Sequence, residues 1–362
     1  MAGLPKMKLF NLDLHATVIK DLIDLFEGIG HQVDHWSISS HSWIHGWAMK
    51  DVDVVNQFTW QHLNEEMCRR FYERYKDELS SYDAFIVTHT PSFALLYTEF
   101  NKPIITVAST RYEAPFSGSK RHWEWLNSSL HDLSRRQLIA RVANNKYDQH
   151  YCQLFTGLSW THIPSYCGHM NVHWNPESPS FLVDSRILSV RLKNVSVIHK
   201  KSLGRFEWTD LVKYAGIIVI PYNASVMSVF EYYTACIPLF FPSRKFCMEL
   251  YENFSDLGVL SDLSWSQISG VDGGSVLRVE HNDPNNYKNL EVVEHWLGYA
   301  DWYDTEWMPY ITHFDSFADL EEKINSTDLE GISEKMRLHN EIRKQKIEML
   351  WDKELNILMN NK

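Results

Sequence analysis

Residues 211–243, LVKYAGIIVIPYNASVMSVFEYYTACIPLFFPS, admit few folds. Positions 216–221 are a short apolar, β-rich run, the pattern of a strand buried on both faces. Asn223-Ala224-Ser225 then turns the chain, with Asn223 or Ser225 suited to cap a helix. Glu231 falls about two turns into that helix. Ala235-Cys236-Ile237-Pro238 closes it, and Leu239 begins a second apolar strand. A helix that starts straight after a buried parallel strand is a ready anion site, because its first N–H groups and its dipole both favour negative charge. A carboxylate farther along such a helix can accept hydrogen bonds from a ribose.

The same alternation runs through the rest of the chain. In the first half, strands are predicted over 8–12, 31–37, 84–87, 103–107, 137–142 and 158–163, with helices over 17–30, 60–79 and 92–100. In the second half, strands are predicted over 180–183, 195–199, 216–221, 239–241 and 308–313. Helices are predicted there over 206–214, 225–234, 290–296, 317–324 and 331–358. Residues 255–283 are rich in Gly, Ser and Asp and read as loop. The expected fold is therefore α/β, with two doubly wound, Rossmann-like domains. Their expected spans are 1–165 and 180–330, joined by a Pro- and Asn-rich linker at 166–179, with a C-terminal helix at 331–362 packing back on the first domain.

Composition narrows the partners. The 362 residues are 44% hydrophobic and 22% charged, as in a soluble globular protein. A net charge of -11 leaves no basic field for a nucleic-acid backbone. No apolar run approaches the roughly 20 residues that span a bilayer. Five cysteines without a CxxC pair point to reduced thiols in a cytoplasm-like compartment, so a soluble cytoplasmic protein is expected. Fourteen tryptophans are mostly core side chains, but aromatic faces also stack on sugar rings and tilt the reading toward carbohydrate.

Two doubly wound halves, a central linker, and the 211–243 unit late in the second half resemble the GT-B class of glycosyltransferases. In retaining members a strand ends in a Pro-Ser-like turn, leads into a helix with an acidic residue, and breaks at a Gly-x-Pro. The matching residues are Pro221-Tyr222-Asn223, Glu231 and Ala235-Cys236-Ile237-Pro238. Two departures stand out: Cys236 replaces the usual glycine, and Asn223 stands where the first acid of a Glu-x7-Glu pattern would be. They turn the expectation toward inverting chemistry. The opening FNLDLHATVIKDL also looks like glycosyltransferases of large algal viruses, which would place the protein in an infected host cell.

The resemblance implies a nucleotide-sugar donor, UDP-sugar by family frequency, held by the second half, and a glycan acceptor held by the first across a cleft. Glu231 would take the ribose, with Asn223, Ser225 and Ser228 at the diphosphate. Arg186 and Lys200, which follow strands of the second half, would supply positive charge. Asp13 and His15, just past the first strand, are the candidate general bases that an inverting transfer needs. His89, Thr90, Arg111 and Glu113 follow other strands and are candidates for acceptor hydroxyls, and Asn144, Asn145 and Tyr147 could border the same region. No cofactor is expected, and a divalent metal is not. Asp51-Val52-Asp53 is a weak Asp-x-Asp, and the His-x-x-x-His pairs at 31/35, 41/45 and 169/173 lack a helix and the Glu of H-E-x-x-H. The absence of G-x-G-x-x-G, Walker and G-x-S-x-G sequences argues against dehydrogenase, kinase and hydrolase readings. A nucleotide-sugar 2-epimerase of the same architecture and a non-catalytic carbohydrate-binding protein are the alternatives.

Overall fold

Continuous apolar runs become central strands. The computed structural model describes residues 5–116, 119–186, 190–261 and 288–360, the side chain of Asp13 excepted. In the first sheet, β1 (Lys8–Asp13), β2 (Gln32–Ser37), β3 (Ala84–Val87), β4 (Ile104–Ala108), β5 (Ile139–Ala143) and β6 (Thr161–His162) lie in the order β2-β1-β3-β4-β5-β6. Every pairing is parallel, with Leu9 opposite both Val33 and Ala84, and Ile104 opposite both Phe85 and Ile139. Leu9, Phe85 and Ile104 are wholly buried, as a sheet covered on both faces requires. The helices between these strands are α1 (Ala16–Gly28), α2 (Glu65–Leu79), α3 (Lys120–Arg135) and α4 (Lys146–Thr156).

The second sheet is also all parallel. It runs β11-β10-β9-β7-β8, with β7 (Phe181–Asp184), β8 (Val197–His199), β9 (Gly216–Val219), β10 (Leu239–Pro242) and β11 (Thr312–Phe314). Its helices are α5 (Trp208–Leu211), α6 (Met227–Thr234), α7 (Arg244–Phe254), α8 (Leu290–Leu297), α9 (Phe317–Ser326) and α10 (Leu329–Asn360). Gly216 is forced by packing: a Cβ there would stand 2.8 Å from the Pro238 carbonyl oxygen and 2.9 Å from the Phe181 ring.

The chain folds as two compact units. One holds the chain up to Ser165 and the end of α10 from Lys346; the other holds Tyr166 onward and α10 up to Gln345. Residues 166–179, expected as a linker, are bonded into the second unit. The Trp174, Asn175 and Glu177 amides donate to the carbonyls of Ala235, Val212 and Lys213 at 2.8, 3.0 and 2.7 Å. Other local expectations shift too. The helix expected over 206–214 is the single turn α5, and that expected over 92–100 is a 3₁₀ segment, Pro91–Phe100. The one expected over 60–79 breaks at Asn64, whose side chain accepts from the Met67 amide and starts α2. Of the stretch read as loop, residues 262–283 lie outside the described residues. All five cysteines are buried and free, and no helix among the described residues is long and apolar enough to cross a membrane.

In each sheet the chain leaves its first strand to one side and returns on the other. Parallel crossovers follow a right-handed rule, so such a reversal places helices on both faces and opens a crevice at the carboxyl ends of the two strands flanking it. These ends are β1 and β3 in the first unit and β7 and β9 in the second.

Candidate functional site

At the carboxyl end of the second sheet, the turn after β9 carries Pro221 to Val226 into α6. Val226 occupies the N-cap and no side chain caps the helix, so neither Asn223 nor Ser225 plays that part. Asn223 is buried and its Oδ1 accepts from the Ser225 amide at 3.4 Å, which shapes the turn instead. Ser225, Met227 and Ser228 are half-buried at the helix start. Immediately past β7, the exposed Arg186 guanidinium lies 3.8 Å from the ring centroid of Tyr222 in the β9 turn. The reversal point is thus bridged by a cation on an aromatic face.

Beside it stands an ion pair bridged by a phenol. Lys200, following β8, donates to Asp184 Oδ2 at 2.5 Å and to Tyr232 Oη at 2.5 Å, and Tyr232 donates to Asp184 at 2.6 Å. Burial, and then the Asp184 carboxylate, push the Tyr232 phenol well above its ordinary pKa. Lys200 therefore enters the site already matched with a carboxylate. Glu231, one residue earlier on α6, is 4% exposed, and its Oε1 lies 3.4 Å from His169 Nε2. A buried carboxylate needs such a partner.

The first sheet gathers a second group at its own reversal point. Asp13 ends β1, and its side chain lies outside the described residues. His15 follows at the start of α1 without capping it; burial, with His41 adding, pushes its pKa down to about 4. His89, after β3, adopts a left-handed backbone (φ 66°), and its ring centroid lies 6.1 Å from that of His15. Burial, then His15 and Arg111, lower its pKa to about 3, and its Nδ1 has no hydrogen-bond partner among the described residues. Both imidazoles are neutral at neutral pH.

Past β3, Thr90 turns away from solvent. Wholly buried, its hydroxyl lies 3.0 and 2.7 Å from the carbonyls of Tyr112 and Ala114 and fastens that loop. Glu113 is 1% exposed, accepts from Tyr151 Oη at 2.9 Å through Oε1, and has no partner for Oε2 among the described residues. Burial raises its pKa to about 7, against the lowering effects of hydrogen bonds and Arg111. Burial opposes the charge of Arg111, but Tyr147, Asp148 and Glu113 around it hold its pKa above the ordinary arginine value. Asn145, read as bordering a crevice, caps α4 by accepting from the Asp148 amide at 2.7 Å. Asp53 of the Asp-x-Asp is paired with Arg74 at 3.0 Å on the surface.

Thus Arg186, Lys200, Asn223, Ser225, Ser228 and Glu231 share one sheet end, while His15 and His89 share another and Thr90, Arg111 and Glu113 lie along the β3–β4 side of it. Sequence reasoning missed Asp184 and Tyr232, and it named Tyr222 and His169 without the contacts they make here. The signal for Asp184 was available, since it closes a strand that points at the crevice.

No protein-family profile and no curated protein matches this chain. Among solved structures it is similar to the glycotransferase of kitacinnamycin, at 10% identity over 97% of this chain and 100% of that one, with a TM-score of 0.45. It is also similar to the glycosyltransferase SnogD from Streptomyces nogalater, at 10% identity over 93% of this chain and 96% of that one, with a TM-score of 0.43.

Proposed function

We propose that the chain is a glycosyltransferase that moves a sugar from a nucleoside diphosphate sugar, UDP-sugar in the first instance, to a hydroxyl of a glycan. One observation carries the reading. The start of α6, Arg186 on Tyr222, Lys200 on Asp184 and the buried Glu231 all follow strands or lie on α6 at the carboxyl end of the second sheet, which supports a donor site there. The α6 amides and Arg186 suit a diphosphate, with Lys200 held in place by Asp184 and Tyr232. Glu231 suits the ribose hydroxyls, with His169 orienting it. The proposal rests the diphosphate on Arg186 and the α6 amides and invokes no divalent ion.

The acceptor is assigned to the carboxyl end of the first sheet. Its hydroxyl oxygen attacks the anomeric carbon while the bond to the diphosphate breaks and the nucleoside diphosphate departs with the electron pair. The hydroxyl proton passes to Asp13 or to His15, which is uncharged at neutral pH and so free to accept it. Direct displacement of this kind inverts the anomeric centre.

Thermal-shift titration with UDP-, GDP- and dTDP-glucose tests the donor, because a ligand selective for the native state raises its stability. One of the three should stabilise the protein. Glu231→Gln should weaken that ligand by about tenfold or more, since a hydrogen bond to a charged group contributes about 1.5–3 kcal/mol. Nucleotide release with glycan acceptors, and the anomeric configuration of the product by NMR, test the reaction. Stabilisation by none of the three sugars sinks the proposal.

A further inference from the structure

The first unit holds another site, beside the amino-terminal halves of β5 and β6. A cavity of about 280 Å³ opens between these strands, the last turn of α3 and the end of α10. That size is just below the roughly 300–1,000 Å³ of sites for drug-sized ligands and suits a smaller molecule. The candidate groups for glycosyl transfer line none of it.

Two opposite charges line the cavity without meeting. Arg141, in the middle of β5, donates through Nη1 to the Ser134 hydroxyl, while its Nε is buried and has no hydrogen-bond partner among the described residues. Burial lowers the Arg141 pKa from the ordinary arginine value, with Glu354 opposing. Glu354, on α10, accepts through Oε1 from the Thr161 hydroxyl at 2.8 Å. Among the described residues Arg141 and Glu354 form no ion pair within 4.0 Å. An unmet donor on a desolvated guanidinium is costly, and a carboxylate matches that planar edge in geometry and charge.

The charge balance selects the ligand. A simple anion on Arg141 also meets Glu354, and a simple cation on Glu354 also meets Arg141. A molecule with both ends satisfies the pair and adds no net charge. The remaining wall includes the apolar Ile357 and Leu358. We propose that this cavity binds a small zwitterion, an α-amino acid with an aliphatic side chain. Its carboxylate sits on Arg141, its ammonium on Glu354 and its side chain against Ile357 and Leu358.

Calorimetric titration of the full chain with L-leucine tests this, set against 4-methylpentanoate, which lacks the ammonium, and isopentylamine, which lacks the carboxylate. Leucine should bind at least about tenfold more tightly than either, a difference of about 1.4 kcal/mol. Glu354→Gln should erase its advantage over 4-methylpentanoate, and Arg141→Lys its advantage over isopentylamine. Glu354 is half-buried on a helix, so its variant decides the matter if the Arg141 variant fails to fold. The proposal falls if leucine at millimolar concentration gives no binding heat and no thermal shift. It falls equally if leucine binds no better than its two halves, or if Glu354→Gln leaves its affinity unchanged.

Discussion

Glu113 shows how burial alone can rewrite a side chain. One carboxyl oxygen accepts from Tyr151, the other meets no donor among the described residues, and the group is 1% exposed. Its pKa of about 7 in the fold, against 4.5 as the reference value, means that the folded state holds a proton the unfolded chain has lost over that window. Stability from this group is therefore full below about pH 4.5 and is lost as pH rises to about 7. His15 and His89 act with the opposite sign. Their pKa values fall from 6.5 to about 4 and about 3, so the unfolded chain takes up protons first and stability falls on acidification below about pH 6.5. Glu113→Gln keeps the acceptor for Tyr151 and removes the titration. Urea denaturation should show the variant gaining on the wild type between about pH 5 and pH 7.5; a constant difference would mean that Glu113 titrates normally. At this scale the sequence was legible where topology alone decides position. Arg186 and Glu231 follow from the strand-end rule. His169 and the Lys200–Tyr232 bond were not legible, because their partners lie 62 and 32 residues away and only the folded sheet joins them.

Elements were read most surely where burial is two-sided. AFIV at β3, IITVA at β4 and GIIV at β9 are buried at every position, the pattern of strands covered on both faces. The helices α3, α4 and α7 escaped the reading, although Ser119, Asn145 and Ser243 cap them through their side chains. Those caps are single residues among many Ser and Asn, and amphipathic spacing interleaved with polar residues blends into loop composition. The expected caps of α6 failed for a related reason: Asn223 spends its side chain on the turn before the helix. The long helix α10 was legible from its apolar spacing, but its contact with α1 was not. Trp351, 2% exposed, meets Phe26 of α1 edge to face at 5.1 Å, with Leu355 wholly buried one turn on. Trp351→Ala removes a large buried side chain and should cost about 3–5 kcal/mol. Chemical denaturation followed by circular dichroism measures this, and a loss under about 1 kcal/mol would mean that the end of α10 is not part of the core of the first unit.

Across the whole molecule the net charge of -11 works against any anionic ligand, so a nucleoside diphosphate must be held by local cations rather than by the overall field. Only part of each sheet offers such a place. In the second unit the reversal point combines Arg186, Lys200 and the start of α6, whereas the first presents two uncharged imidazoles at its own. The two units thus share a winding rule and differ in the groups at the reversal point, and that difference assigns donor to one and acceptor to the other in the proposed function. The assignment has a spatial consequence. At about 100 times its Kd a ligand adds about 2.7 kcal/mol to the stability of what it binds. Amides of β9 and α6 that exchange by opening of the second unit should then slow by about a hundredfold in the presence of the donor nucleotide. Those of β1 and β3 should keep their rates. Hydrogen exchange read by mass spectrometry resolves the two sheets, and slowing centred on β1 and β3 would place the nucleotide in the first unit and undo the assignment.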